Sequence, residues 1–221
     1  MLFVVPTPIG NLNDISPRAL ETLKDADIIA CEDTRQTMKL LNHYAIKNKL
    51  VSYHQHSKLS KVDYLISELK DAKNIALVSD AGTPAISDPG YMLISQAIEN
   101  NIEVISIPGP SAVITALAGS GYGLTSFTYL GFFPQKKGRQ TLLKKIKAEK
   151  QVFCFYESKH RIIKLLNELI EYMPERNITL ARELSKMHEE FLRGTPESIL
   201  KILEDNPKKQ KGEFVVIINS K

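Results

Sequence analysis

Short apolar runs alternate with stretches of helical periodicity along the whole chain. Residues 2–6 are strand formers, closed by Pro6, Pro8 and Gly10. Ser16 before Pro17 is an N-cap followed by proline at the first helical position, which predicts a helix to about Ala26. Further strands are predicted at residues 28–31, 49–52, 75–79 and 103–107. Helices are predicted at 34–42, capped by Thr34, and at 58–71, 91–100 and 111–119. In the 58–71 stretch Leu59, Val62, Leu65, Ile66 and Leu69 follow the spacing of one helix face. Strands that are apolar throughout, each followed by a helix, indicate a parallel sheet covered on both faces.

The interval 119–134 breaks this rhythm with Gly119, Gly121, Gly123 and Gly131. A second alternation follows: a strand at 127–133, a basic helix at 138–148, and a strand at 152–156. An amphipathic helix at 160–172, strands at 178–182 and 190–193, a helix at 196–205 entered at Thr195, and a last strand at 212–219 complete it. The fold class expected is α/β, with two α/β domains. Residues 1–115 carry a mainly parallel sheet and residues 116–221 a mixed one.

A length of 221 residues suits one large or two small domains. The 43% hydrophobic and 24% charged fractions are those of a globular protein, which argues against disorder. No run reaches the roughly 18 apolar residues of a membrane helix, and the N-terminus lacks a basic start, so no membrane role and a cytoplasmic location are expected. Cys31 and Cys154 each sit in an apolar run and read as buried thiols. The net charge of +4 names no partner. Its distribution is more telling. Lys136, Lys137, Arg139, Lys144, Lys145, Lys147 and Lys150 are opposed in that stretch by Glu149 alone, and Tyr129, Phe132 and Phe133 come just before. Cations neutralise phosphates and aromatic rings stack on bases, so this stretch suits RNA or a polyphosphate.

Three loops follow apolar strands of the first half: PTPIGN (6–11), SDAGTPAISDPG (79–90) and PGPSA (108–112). Ligands of open α/β sheets bind at the carboxyl ends of strands. The chain has neither GxGxxG nor GxxxxGK[ST], which argues against a dinucleotide oxidoreductase or a P-loop nucleotidase. Glu32, Asp33 and Arg35 leave the second strand together; they read equally as helix-start groups and as functional ones. His54 and His56 are too few ligands for a metal site, and none is expected. Glu157 to Arg161, and Arg182 to Lys186, occupy matching positions after strands of the second half.

Taken in order, VPTPIGNLNDIS, ACEDTR, SYHQHS, VSDAGTPAISDPG, IPGPSA, FYESKHR and ARELSKMHEEFLRG resemble the tetrapyrrole-methylase-like class of S-adenosylmethionine methyltransferases, and within it the branch acting on ribosomal RNA. Cobalamin and siroheme methylases typically carry GxGPG at the first loop, where this chain has PTPIG. The resemblance implies S-adenosylmethionine held in a cleft between the two domains, a homodimer, and 2′-O-methylation of a cytidine ribose in the decoding centre of 16S rRNA, in the small ribosomal subunit. By motif, cofactor contacts fall on Pro8, Ile9, Gly10, Asp80, Gly82, Thr83, Pro84, Ile86, Ser111, Ala112, Tyr156 and Ala181. Many relatives extend past the last strand with a helical segment; without one, the basic stretch is expected to carry more of the RNA contact.

A ribose hydroxyl needs a nearby base, and Glu32, Asp33, His54 and Glu183 are the candidates. Arg35, His56, Lys136, Lys137, Arg139, Arg161 and Arg182 are the candidate RNA contacts. Methylation of a tetrapyrrole and a non-catalytic RNA-binding ribosome-assembly module are the competing readings.

Overall fold

The computed structural model describes residues 1–54 and 59–220. They divide into two units, Met1–Ser111 and Ala112–Lys221. The expected cut at residue 115 would have run through a helix that belongs whole to the second unit.

The first unit contains β1 (Leu2–Val4), α1 (Pro17–Asp25), β2 (Ile28–Cys31), α2 (Thr34–His43), β3 (Leu50–Ser52), α3 (Leu59–Lys70), β4 (Ile75–Val78), α4 (Tyr91–Glu99) and β5 (Val104–Ser106). Its sheet has the order β3-β2-β4-β1-β5 and is parallel throughout. Alternate residues serve opposite faces, as a pleated strand requires. Leu2, Ile28, Ala30, Ile75 and Leu77 pack with Leu65, Leu69, Leu93 and Ala97 of α3 and α4. Ile29, Cys31, Ala76 and Val78 pack with Ala19, Leu23 and Leu41 of α1 and α2. Helices cover both faces, so the central strands β2 and β4 are buried throughout and read as unbroken apolar runs. Helix α1 begins as its sequence dictates, with the Ser16 hydroxyl accepting from the Ala19 N–H at 3.1 Å. Helix α2 is capped by the Asp33 carboxylate rather than by Thr34; the carboxylate accepts from the Arg35 N–H at 2.8 Å, and Thr34 is the first helical residue.

The neighbours β1 and β4 form the switch point of this sheet. The chain leaves β1 through α1 on one face and β4 through α4 on the other. Their loops diverge there and leave a crevice at the carboxyl ends.

The second unit contains α5 (Ala112–Gly119), β6 (Phe127–Phe132), α6 (Arg139–Ala148), β7 (Val152–Ser158), α7 (Ile162–Tyr172), β8 (Ile178–Arg182), β9 (Glu190–Gly194), α8 (Pro196–Asp205) and β10 (Glu213–Ile218). Its sheet has the order β6-β7-β10-β8-β9. Only β6 and β7 run parallel; the other pairings are antiparallel. Phe153, Phe155, Leu180, Phe214 and Val216 face α6, α7 and α8. The opposite face carries α5, which packs on β7 and β10. Cys31 and Cys154 are free and buried, and burial pushes the Cys154 thiol up to about 12. No helix among the described residues is long and apolar enough to cross a membrane.

Candidate active site

The three loops meet at the switch point. Thr7 and Gly82 exchange two backbone hydrogen bonds, of 2.9 and 3.0 Å. The Thr7 hydroxyl donates to the Ser79 carbonyl at 3.1 Å, and the Thr83 hydroxyl to the Pro110 carbonyl at 3.1 Å. Pro6 and Gly109 are in such close approach that a Cβ on Gly109 would lie 2.8 Å from the Pro6 Cβ. Loops after β1, β4 and β5 are therefore one cross-linked structure. The middle loop is also strained: Ala85 and Ser87 both hold φ of 66°, a left-handed conformation costing of order 1–2 kcal/mol for a residue with a Cβ. The loop contains Asp80, Gly82, Thr83, Pro84 and Ile86; Pro8, Ile9 and Gly10 lie in the first loop and Ser111 at the end of the third. The structure brings together these cofactor candidates of the first unit.

Acidic side chains converge on the same edge. The Asp80 carboxylate accepts from the Asp33 N–H at 3.1 Å, tying the end of β2 to the loop after β4. Burial raises the Glu32 carboxyl above its ordinary range, and the negative charge of Asp80 adds to the effect. Asp88 is pushed up to about 6, by burial first and then by Glu32. Sequence reasoning did not single out Asp88, although it lies in the quoted SDPG segment. Its signal there was a second carboxylate, in addition to Asp80, in a proline-closed loop. Asp33 differs: its hydrogen bonds with the Arg35 side chain and backbone hold its carboxyl down at about 2. Arg35 is correspondingly committed to Asp33, although its side chain is exposed. His54 is exposed, and its charge acts on Glu32. His56 lies outside the described residues.

In the second unit Tyr156 and Ala181 flank Val215 across three strands. Directly opposed residues share a face. Since Phe155, Leu180 and Phe214 face the core helices, the Tyr156–Val215–Ala181 row faces the α5 side. Ala112 opens α5 itself. The two cofactor candidates of these strands thus share one face with Val215 between them, a relation their separation in sequence hides.

Several candidates have other work. Arg139 was expected on an RNA-binding face, but its side chain is only 4% exposed. Its guanidinium donates to Glu168 at 2.8 Å and to the Pro134 carbonyl at 2.7 Å, pairs with Glu157, and stacks over Phe133. The helix turns this one cation of the basic stretch inward, whereas Lys136, Lys137, Lys144, Lys145, Lys147 and Lys150 are exposed. Arg182 is buried and donates to the His188 and Lys211 carbonyls at 3.0 and 2.9 Å. Arg161 is mostly buried against Glu157, 2.7 Å away. These three fasten strand ends rather than present charge to a ligand. Glu183 is likewise engaged: it accepts from the Glu213 N–H at 3.0 Å and from Lys186 at 3.3 Å. Burial works to raise its carboxyl, but those partners outweigh it and hold it below its ordinary value. A carboxylate whose proton affinity is lowered by such partners is a weak base.

A parallel sheet with linked strand-end loops is joined in sequence to a mixed sheet, a two-unit α/β architecture. The model of the tetrapyrrole (corrin/porphyrin) methylases matches residues 1–200, and the chain belongs to that family. It is 50% identical over 218 residues to "Ribosomal RNA small subunit methyltransferase I" of Halalkalibacterium halodurans, covering 98% of this chain and 75% of the relative. The same name is carried by relatives from Thermotoga maritima, 43% identical with 100% and 98% covered, and from Escherichia coli O157:H7, 45% identical with 98% and 77% covered. Among solved structures, a diphthine synthase aligns with a TM-score of 0.75 at 17% identity, covering 99% of this chain and 89% of that one. A cobalt precorrin-4 methyltransferase aligns at 0.72 and 15%, covering 99% and 94%. These two likenesses show the fold.

The chain is accordingly a methyltransferase, and its methyl donor is S-adenosylmethionine. The first unit fits such a group. Gly82 allows close backbone approach, Pro8, Ile9 and Ile86 offer apolar surface, and the carboxylates complement a sulfonium and an ammonium.

Proposed function

We propose that the chain methylates the 2′-oxygen of a cytidine ribose in the decoding centre of 16S rRNA. The substrate in this reading is the small ribosomal subunit, and the enzyme works as a homodimer in the cytoplasm. The observation that carries it is the 43–50% identity, over at least 98% of this chain, to enzymes named for the RNA of that subunit. The exposed lysines of Lys136–Lys150 support a polyanionic substrate. For tetrapyrrole methylation there are the family's name and structures 12–18% identical, a likeness that extends to the fold alone.

When bound, S-adenosylmethionine supplies a methyl group already activated by its sulfonium. The linked loops after β1, β4 and β5 hold a fixed surface on which the acceptor is oriented, and positioning of this kind contributes several kcal/mol. Glu32 receives the proton of the ribose hydroxyl on a carboxylate oxygen as the new O–C bond forms. Its raised proton affinity suits it to that role better than Asp33 or Glu183, whose proton affinities are lowered. His54 favours the ionised form of Glu32, the form that accepts the proton. Lys136 and Lys137 bind phosphates.

Incubation with labelled S-adenosylmethionine tests the reading. Small ribosomal subunits lacking the modification should take up label; transfer to a porphyrinoid and not to RNA would replace it.

A further inference from the structure

Strand β6 contains an irregularity with a consequence for substrate recognition. Tyr129 pairs with Cys154, but Phe132 pairs with Tyr156, so three steps on β6 oppose two on β7. Residues three apart on a regular strand point to opposite faces. The bulge cancels that alternation. Gly131 sits inside it at φ +65°, a conformation glycine adopts without a Cβ penalty. As a result Tyr129, Phe132 and Tyr156 all lie on one face. The Tyr129 and Tyr156 rings meet edge-on with centroids 5.6 Å apart, and the Phe132 ring is tilted against Tyr156 at 5.2 Å. Phe133 turns the other way, into the core against Phe155.

Phe132 is 60% exposed. An edge strand ending in an exposed aromatic ring is a liability that a fold ordinarily covers or charges. Here a bulge re-aims the ring outward, and the next exposed side chains include the cations Lys136 and Lys137. Aromatic faces bordered by cations are how single-stranded nucleic acid is held, the rings taking bases and the cations taking the flanking phosphates.

We propose that Phe132, backed by Tyr156 and Tyr129, is a stacking platform for a base of the RNA substrate. Adenine of the methyl donor is the other source of such a base, and Tyr156 is a cofactor candidate. Phe132 is assigned to RNA because it is the outermost ring and precedes the lysines. The inference rests on the rRNA reading above.

The test is steady-state methylation of unmodified small ribosomal subunits by Phe132→Ala, Phe132→Leu and Phe132→Tyr, with calorimetric titration of each variant with S-adenosylmethionine. Loss of one base stack corresponds to roughly a 5- to 150-fold rise in KM for the RNA in the alanine and leucine variants. Tyrosine should restore the wild-type KM, and cofactor affinity should stay constant throughout. Weakened cofactor binding with an unchanged RNA KM would overturn the assignment. So would a leucine variant equal to wild type, or a change confined to oligomeric state. If the wild type itself transfers no methyl to RNA, the rRNA reading fails and the assignment with it; wild-type transfer with an unaffected alanine variant defeats the platform alone.

Discussion

Thr7 and Gly82 donate to each other's carbonyls, so the loop after β1 and the loop after β4 cannot move independently. Gly82 achieves this at φ +77°, a region costing an L residue about 1–2 kcal/mol. A Cβ there would lie 3.5 Å from Ile9 Cγ2, an ordinary contact, so the penalty is conformational rather than steric. Gly82→Ala should lower the melting temperature modestly and weaken S-adenosylmethionine binding by a larger proportion. Thermal unfolding and calorimetric titration measure the two separately. Unchanged cofactor affinity would detach the linked loops from the cofactor site.

Glu32 and Asp33 are adjacent but should respond differently to substitution. Glu32→Gln removes the proton acceptor and should reduce kcat by about 10²–10⁴-fold, with cofactor affinity retained. Asp33→Ala should act through the helix α2 cap, lowering stability with a smaller loss of turnover. Single-turnover rates together with denaturant midpoints distinguish the two. Equal losses of kcat would return Asp33 to the list of bases.

The acidic edge has a pH signature of two signs. The Asp88 carboxyl is raised to about 6, so its protonated form belongs to the folded state. Its favourable contribution is complete below the unfolded value near about 4 and is lost as pH rises through about 6. Asp33 is depressed to about 2; its contribution is present above about 4 and is lost as pH falls through about 2. Denaturant unfolding of wild type and Asp88→Asn between pH 4 and 7 should show the variant gaining relative stability as pH rises. Parallel profiles would contradict the burial of Asp88 beside Glu32.

The cations of the basic stretch should separate into two groups. Arg139→Ala leaves Glu157 and Glu168 without their buried partner, and about 3–5 kcal/mol of stability should be lost. Lys136→Ala and Lys137→Ala should leave stability intact and weaken RNA binding. Each should reduce the log–log salt slope by roughly 0.7–0.9. Melting curves and filter binding at several salt concentrations check both halves. A stable Arg139→Ala with impaired RNA binding would restore Arg139 to the surface.

The elements were legible because the central parallel strands β2 and β4 of the first unit are buried on both faces, which writes an unbroken apolar run. Capping was legible at Ser16 and Thr195 but not at Thr34, because the helix starts one residue earlier, with the Asp33 carboxylate taking the Arg35 N–H. The three loops could be grouped from their common position after strands. Their linkage could not, since Thr7, Gly82, Thr83 and Pro110 pair through backbone carbonyls that no side-chain motif records. Arg139 was misread because charge in sequence does not say which side of a helix it faces. The orientation of Phe132 was hidden for a related reason: a one-residue bulge reverses the face that alternation assigns.

The most direct measurement is the position of the new methyl group in 16S rRNA. Unmodified small subunits would be incubated with the protein and S-adenosylmethionine, the RNA digested with nuclease, and the fragments mapped by mass spectrometry. The account predicts one added methyl, on the ribose of a cytidine in the decoding centre, and its near absence with Glu32→Gln. A methyl on a base, or no methyl on the RNA beside transfer to a porphyrinoid, would contradict it.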